Sequence, residues 1–161
     1  MKKIGSVKED LTTEKRISIT PETVRKFTDS NFFIFLEKKY GEHLGITDDE
    51  YKNEGATLYD SAKEVLEKSQ IILKVNCPSN DEINSIKDKS ILIGQFDPLS
   101  DKERLNKLIK KNINIFSLNL LPRITRAQSM DVLSSQANLA GYRAVIESVE
   151  EFGKAVPMMM T

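Results

Sequence analysis

Short apolar segments alternate with amphipathic segments along the first two thirds of the chain, and this alternation constrains the fold more than any other feature. The apolar segments are typical of β-strands and lie at 3–7, 32–36, 71–75, 91–94 and 113–118. The segment FFIFL is apolar at every position, which is typical of a strand buried on both faces of a sheet. Strands that alternate with helices predict βαβ units and a parallel sheet.

Capping residues indicate where the intervening helices begin. Thr20 precedes Pro21 and Glu22, which fits an N-cap, a first helical residue and an acidic first turn. Four more Ser or Thr residues stand three positions before a glutamate, the capping-box pattern, at Thr47, Ser61, Ser79 and Ser100. The helix after Ser100 has an apolar stripe of Leu105, Leu108 and Ile109. The sequence therefore predicts an α/β fold with a flavodoxin- or Rossmann-like parallel sheet and helices on both faces.

The last third of the chain predicts one long helix, from about Arg126 to Phe152, that ends at Gly153. Small residues mark one side of it, which is compatible with ordinary helix packing or with close approach of another backbone. Large apolar residues at helical spacing are expected to be buried, namely Leu139, Tyr142, Ile146, Val149 and Phe152. We expect a further structural element after the apolar segment VPMMMT that follows the helix.

Composition excludes several classes of function. The chain of 161 residues has 24 Lys and Arg against 24 Asp and Glu, so it lacks the basic excess of a nucleic-acid-binding protein. It has no GxGxxG motif and no P-loop. One histidine, His43, and one cysteine, Cys77, predict no metal site, and a lone cysteine fits a reducing compartment. Without a long apolar run or a signal peptide, the chain is expected to be soluble and cytoplasmic.

One stretch, residues 122–144, is dense in hydrogen-bonding side chains and precedes the small-residue part of the long helix. Its polar residues include Arg123, Gln128, Asp131 and Ser134. A loop with many donors and acceptors is typical of a recognition site. The same composition also fits a solvated helix start capped by Thr125 or Ser129, and the residues alone leave both interpretations open.

Four motifs carry a resemblance to a known family. The stretch PRITRAQSMDVLSSQANLAGYRAVIE resembles the signature of the NAD-binding α subunits of proton-translocating NAD(P) transhydrogenases. The opening KKIGSVKEDLTTEKRISITPETV resembles the N-terminus shared by those subunits and the alanine dehydrogenases, and ILKVNCP fits both. The ending FGKAVPMMMT is similar to the stretch that precedes the nucleotide-binding domain of such subunits. The resemblance extends over nearly the whole chain.

The resemblance implies a role for each polar residue of this stretch. Arg123, Gln128 and Asp131 are expected beside the nicotinamide of NAD(H), with Ser134 adjacent. A carboxamide offers one acceptor and two donors, so Arg123 and Ser134 can donate to its oxygen and Asp131 can accept from its nitrogen. Gln128 could bridge to NADP(H) bound on a partner subunit. A direct hydride transfer from NADH to NADP⁺ needs positioning of two nicotinamides rather than an acid or a base.

Two alternatives remain at this stage. An alanine dehydrogenase needs Arg and Lys for its substrate, and Arg16 and Lys74 match those positions by motif. It also needs a histidine as general acid–base, expected within LIGQFDPL, where this chain has Asp97 and no histidine. Arg16 and Lys74 are then remnants of a substrate site or partners of carboxylates. The other alternative is a non-catalytic module that binds a partner chain.

The resemblance also implies an organisation into residues 1–135, the N-terminal α/β domain, and residues 136–161, a connecting helix and the start of an NAD-binding domain. The NAD-binding domain is expected outside this chain. C-terminal helices that complete the N-terminal domain are expected outside it as well. NADP-binding and membrane subunits are expected as partners. The full subunit is expected to be a homodimer, peripheral to the inner membrane through its partners and coupled to proton translocation. We expect the chain alone to be inactive.

Overall fold

The computed structural model describes residues 2–154. Strands and α-helices alternate in the order β1 (Lys3–Ser6), α1 (Pro21–Asp29), β2 (Phe33–Glu37), α2 (Asp48–Asn53), β3 (Ala56–Tyr59), α3 (Ala62–Lys68), β4 (Ile71–Leu73), α4 (Asn80–Ser85), β5 (Ile91–Gly94), α5 (Lys102–Lys110), β6 (Asn114–Ser117) and α6 (Val132–Phe152). Short 3₁₀ helices lie at Glu42–Leu44, Leu118–Leu120 and Thr125–Met130. The chain divides after Leu118 into two compact units. The segment VPMMMT lies outside the described residues.

The first unit is built on a six-stranded sheet in the order β3-β2-β1-β4-β5-β6. Every neighbouring pair is parallel. This is the strand order of a doubly wound, Rossmann-like sheet, in which the direction of winding changes between β1 and β4. The predicted fold class is therefore confirmed. The FFIFL strand lies inside the sheet, where Ile34, Phe35 and Leu36 are buried.

Helices cover both faces of this sheet. On one face Leu92 packs in a cluster with Val65 of α3, Ile83 of α4 and Leu108 of α5. On the other face Ile34 clusters with side chains from α1 and α2, which include Val24 and Tyr51. Side chains of successive strand residues point to opposite faces, so a strand that is apolar throughout contributes to both clusters.

Two of the predicted helix starts are complete capping boxes and a third is a simple cap. Thr47 and Ser79 each accept a hydrogen bond from the amide three residues later, and the glutamate there accepts one from the amide of the cap residue. Ser61 accepts from the amide of Glu64. Thr20 caps α1, with Pro21 as its first residue, as predicted. These local signals predicted the helix starts because each cap bonds to an amide that has no partner within the helix.

The start of α5 corrects the sequence prediction. Asp101, not Ser100, occupies the N-cap position. The hydroxyl of Ser100 instead donates to Asp97 Oδ2 at 2.9 Å, which uses it in the preceding loop. Leu108 is buried as predicted, but Ile109 is 60% exposed and does not belong to the buried stripe.

The second unit also differs from its prediction. The long helix begins at Val132 rather than near Arg126, because residues Thr125–Met130 form a 3₁₀ helix. Neither Thr125 nor Ser129 caps α6; Asp131 is the N-cap. Gly153 ends α6 with a φ of 60°, as predicted for a left-handed cap. The large apolar residues of α6 that we expected to be buried are 41% to 71% exposed: Leu139, Tyr142, Ile146, Val149 and Phe152.

Candidate functional site

The second unit contains a cavity of about 370 Å³. All four polar residues that the resemblance places at the nicotinamide line this cavity, namely Arg123, Gln128, Asp131 and Ser134. Pro122, Ile124, Thr125 and Ala127 complete its lining. The structure therefore brings these four residues together around one space.

The backbone between the second and third of the 3₁₀ helices shapes the cavity. Ile124 is extended, with a φ of −124° and a ψ of 157°, and the chain then turns into the 3₁₀ helix Thr125–Met130. Asp131 ends that helix and begins α6. The cavity is thus framed by the start of a long helix, where backbone amides have no partner within the helix.

The carboxylate of Asp131 is held by one neighbour. The amide of Ser134 donates to Oδ1 at 3.0 Å, and the hydroxyl of Ser134 donates to Oδ2 at 2.6 Å. These two bonds, together with the charge of Arg123, hold the pKa of Asp131 below its ordinary value. Asp131 is therefore an ionised acceptor at neutral pH.

The remaining groups of the cavity offer hydrogen-bond donors. The guanidinium of Arg123 presents only N–H donors, and the amide of Gln128 presents both a donor and an acceptor. Both residues are exposed. A positive donor group and an ionised acceptor that line the same cavity match the oxygen and the NH₂ of a primary carboxamide.

A second polar cluster lies in the first unit, at the carboxyl ends of β1 and β4. The ammonium of Lys74 is 2.7 Å from Glu82 Oε1 and 3.7 Å from Glu9 Oε2. The side chains of Lys74 and Glu9 are each only 4% exposed. Glu9 also accepts hydrogen bonds from the amides of Val75 at 2.7 Å and Asn76 at 3.4 Å. Burial raises the pKa of Glu9, although the charge of Lys74 opposes this.

Arg16 lies in the loop that follows β1 and is likewise paired. It forms a two-pronged contact with Glu14, with Nε donating at 2.9 Å and Nη2 at 2.7 Å. Nη2 is also 3.4 Å from the amide oxygen of Gln95, which follows β5. The pKa of Glu14 is lowered, chiefly by the hydrogen bonds from Arg16. Arg16 and Lys74 thus lie at the same edge of the sheet, and each contacts a carboxylate of the chain itself.

Sequence reasoning did not find Glu9 and Glu14 as the partners of these cations. Their only signal is the concentration of charge in KEDLTTEKR, directly after the first predicted strand.

Asp97, which stands where an alanine dehydrogenase is expected to have histidine, accepts bonds from the amide of Leu99 and the hydroxyl of Ser100. These bonds lower its pKa, so Asp97 is a poor proton donor.

Neither His43 nor Cys77, the two other residues considered from the sequence, is among the residues that line the cavity. His43 is exposed, and its Nε2 is 2.8 Å from the carbonyl oxygen of Lys15. Cys77 is buried, and burial raises the pKa of its thiol to about 11. Between residues 2 and 154, no group of His, Cys, Asp and Glu is arranged to hold a metal ion. No helix in that range is long and apolar enough to span a membrane.

The order of the parallel strands defines a class, the doubly wound α/β domains. Within that class the chain belongs to the family described as "Alanine dehydrogenase/PNT, N-terminal domain", whose model matches residues 5–140. The family prediction made from the four motifs is confirmed.

Individual relatives agree with this assignment. The chain is 40% identical over 164 aligned residues to the first part of the NAD(P) transhydrogenase subunit alpha of Rhodospirillum rubrum, an alignment that covers 99% of this chain and 43% of the relative. It is 29% identical to an alanine dehydrogenase of Methanococcus maripaludis, over 88% of this chain and 38% of the relative. The crystal structure of a transhydrogenase from Sinorhizobium meliloti superposes with a TM-score of 0.89 at 39% identity and covers 99% of this chain and 48% of that one. The chain therefore spans less than half the length of these relatives.

Proposed function

We propose that this chain is the N-terminal part of the NAD(H)-binding α subunit of a proton-translocating NAD(P) transhydrogenase, which passes hydride from NADH to NADP⁺. One observation carries the proposal: Arg123, Gln128, Asp131 and Ser134 line a single cavity. The transhydrogenase relatives support the same assignment. Residues 1–135 then form the family's α/β domain, and residues 136–161 lead into the NAD-binding domain.

The donor set of the cavity fits the nicotinamide carboxamide. Arg123 can hold the carboxamide oxygen, and the ionised Asp131 can accept from the carboxamide nitrogen. Gln128 is exposed and has both donor and acceptor groups, so it can contact NAD(H) on one side and NADP(H) of a partner subunit on the other. Bound NADH would supply the hydride. The residues of the loop supply orientation, and no metal is needed for this chemistry.

The alanine dehydrogenase alternative has less support. A small acid substrate needs cations that are free to bind its carboxylate. Lys74 is buried between Glu9 and Glu82, and Arg16 is engaged by Glu14. We therefore assign these two cations to the structure of the loops at the carboxyl ends of β1 and β4.

Exposed apolar surface supports the proposal that further elements complete the subunit. Phe116 of β6 pairs in register with Ile93 and is 56% exposed. It lies on the sheet face opposite Leu92, whereas α3, α4 and α5 cluster with Leu92. The apolar positions of α6 are exposed as well. We propose that the C-terminal helices of the subunit and the second copy in a homodimer cover such surfaces.

Attachment to the inner membrane, on its cytoplasmic side, would then come from the NADP-binding and membrane subunits.

We expect the isolated chain to bind NADH weakly or not at all, because its sequence contains no glycine-rich loop to hold the pyrophosphate. Isothermal titration calorimetry of the chain should therefore give no micromolar dissociation constant. The complete subunit, titrated in parallel, is the positive control and should bind NADH. Micromolar binding by the isolated chain would contradict the proposed division of the site, and no binding by the complete subunit would contradict the proposed function.

A further inference from the structure

We propose that a second cavity, at the amino ends of β1, β4 and β5, binds the phosphate group of a small molecule. The cavity has a volume of about 330 Å³. It lies within the first unit, and no residue of the stretch 122–134 lines it. The inference is therefore independent of the proposed function, and its failure would leave that function in place.

Three adjacent strands bring the lining of this cavity together. Lys2 precedes β1, Ser69 and Gln70 precede β4, and the segment 87–90 precedes β5. Because β4 lies between β1 and β5 and the three strands are parallel, these segments meet at one edge of the sheet. Doubly wound domains bind their usual ligands at the other edge, beyond the carboxyl ends of the strands. The cavity is thus a separate candidate site.

The charge of the lining is mainly positive. Lys2, Lys87 and Lys89 line the cavity together with one carboxylate, that of Asp88. All four residues are exposed, and within residues 2–154 none of them forms an ion pair. Positive groups that no carboxylate neutralises, gathered around a concave surface, attract an anion.

Ser90 supplies a buried polar group to the same lining. It is only 4% exposed, yet its hydroxyl has no hydrogen-bond partner in the part of the chain that the structure describes. Its backbone is held on both sides: the amide donates to the carbonyl of Lys87 at 3.4 Å, and the carbonyl accepts from the amide of Asn114 at 2.9 Å. Buried hydroxyls normally have a partner. An oxygen of a ligand in the cavity would accept the hydrogen of Ser90.

The remaining donor of the lining is Gln70, and the full set of donors favours phosphate. Gln70 Oε1 accepts from the amide of Lys3 at 3.2 Å, so Nε2 keeps both of its hydrogens for a ligand. A phosphate monoester carries about two negative charges and several acceptor oxygens at neutral pH. Lysine binds phosphate as a point charge, whereas carboxylates favour the planar fork of arginine, and no arginine lines this cavity.

The test is a titration of this chain with inorganic phosphate, followed by ¹H–¹⁵N NMR at constant pH and ionic strength. The backbone amide signals locate the bound anion residue by residue. We expect saturable shifts of the amides in 69–71 and 87–91, with a dissociation constant of roughly a millimolar. Acetate at the same ionic strength should leave these amides unchanged, because it has the charge of a carboxylate and only one plane of acceptors.

Lys89→Gly removes one of the ammonium groups. Lys89 has a φ of 62°, a conformation that glycine adopts without strain, so the variant should fold. Lys39→Gly is the matched control, because Lys39 is also exposed, has a φ of 61° and does not line the cavity. We expect Lys89→Gly to weaken phosphate binding roughly three- to tenfold and Lys39→Gly to leave it unchanged.

Ser90→Ala distinguishes a built site from diffuse positive charge. The substitution breaks no hydrogen bond of the described chain, so the urea midpoint should stay close to that of the wild type. Phosphate binding should nevertheless weaken roughly three- to tenfold, because the anion loses a fixed donor. Attraction by exposed lysines alone would not depend on this hydroxyl.

A second experiment identifies the source of the phosphate group. Co-sedimentation with vesicles of phosphatidylcholine and phosphatidic acid tests a lipid headgroup, with phosphatidylcholine vesicles as the blank. We expect no binding above the blank, and vesicle binding that depends on Lys89 would overturn the assignment to a small molecule. Phosphate shifts that do not saturate, that are confined to residues 122–134, or that are the same in Ser90→Ala and Lys89→Gly as in the wild type would overturn the site itself.

Discussion

Replacement of Lys74 by methionine should lower the free energy of unfolding by about 3–5 kcal/mol at neutral pH, which is the usual cost of removing one partner from a buried ion pair. Methionine has a similar length, so the change leaves little cavity. It leaves the carboxylates of Glu9 and Glu82 without their shared cation, and the side chain of Glu9 is only 4% exposed. Urea denaturation at pH 7, followed by circular dichroism, measures the loss.

The pH dependence of this effect follows from Glu9. Burial raises the pKa of Glu9 above its ordinary value of 4.5, so the folded state binds the proton more tightly than the unfolded state. Stability contributed by the neutral carboxyl is present below pH 4.5 and is lost as pH rises through the raised pKa. The Lys74→Met deficit should therefore be smaller near pH 4.5 than at pH 7.

Two variants test whether charge causes the deficit. Glu9→Gln combined with Lys74→Met removes the carboxylate with the raised pKa and should recover some of the lost stability. Lys63→Met is the matched control, because the Lys63 side chain is 71% exposed and its change should stay within about 0.5 kcal/mol. If Lys74→Met proved as stable as Lys63→Met at pH 7, the cluster of Lys74, Glu9 and Glu82 would not stabilise the fold.

The second large effect is expected at Gln128. In the complete enzyme, Gln128→Asn should slow single-turnover hydride transfer by roughly 10- to 100-fold, because it shortens the reach to the second nucleotide by one methylene group and disturbs the approach of the two nicotinamides. NADH affinity should stay within about twofold, since Arg123 and Asp131 remain to bind the carboxamide. Stopped-flow absorbance gives the rate, and equilibrium titration gives the affinity.

Ser129→Ala controls for disturbance of the 3₁₀ helix Thr125–Met130, since Ser129 is exposed and lies outside the cavity lining. It should change neither the rate nor the affinity. A Gln128→Asn enzyme that loses NADH affinity but keeps its transfer rate would show that Gln128 belongs to the NADH pocket and does not bridge the two nucleotides.

The fold could be predicted where the signal is local. The caps at Thr20, Thr47 and Ser79 each bond to an amide three residues later, so the helix starts can be predicted from a short segment. An all-apolar segment such as 32–36 likewise predicts a buried strand without information from the rest of the chain. The third strand, Ala56–Tyr59, was missed because it is an edge strand in which only Ala56 is buried. Pairing with β2 stabilises it, and that pairing is not visible in its own sequence.

Competition between neighbouring residues explains the errors at helix starts. Ser100 and Asp101 are both good cap residues. The hydroxyl of Ser100 donates to Asp97 in the preceding loop, and Asp101 occupies the N-cap position of α5. Before α6, Thr125 and Ser129 had the right chemistry, but Asp131 is the residue whose carboxylate reaches the Ser134 amide. Helical spacing of apolar residues predicts the helix but not its first residue.

In the candidate site, too, local features could be predicted from the sequence and contacts between distant segments could not. The polar residues of the loop lie within a short stretch, so a motif could predict that they act together. The partners of Lys74 could not be predicted, because Glu9 contacts the backbone of Val75 across 66 positions of sequence. Only the parallel pairing of β1 with β4 brings these two loops together.

The most direct test of the central claim, that residues 122–134 hold the nicotinamide, is the affinity of the complete subunit for NADH after Asp131→Asn. Asparagine caps helices as well as aspartate does, so α6 should keep its N-terminus. The carboxamide NH₂ loses a charged acceptor, worth about 1.5–3 kcal/mol, or roughly 10- to 150-fold in dissociation constant. Asp81→Asn, an exposed residue in the first turn of α4, is the control and should bind as the wild type does. An Asp131→Asn subunit with wild-type NADH affinity would contradict the claim.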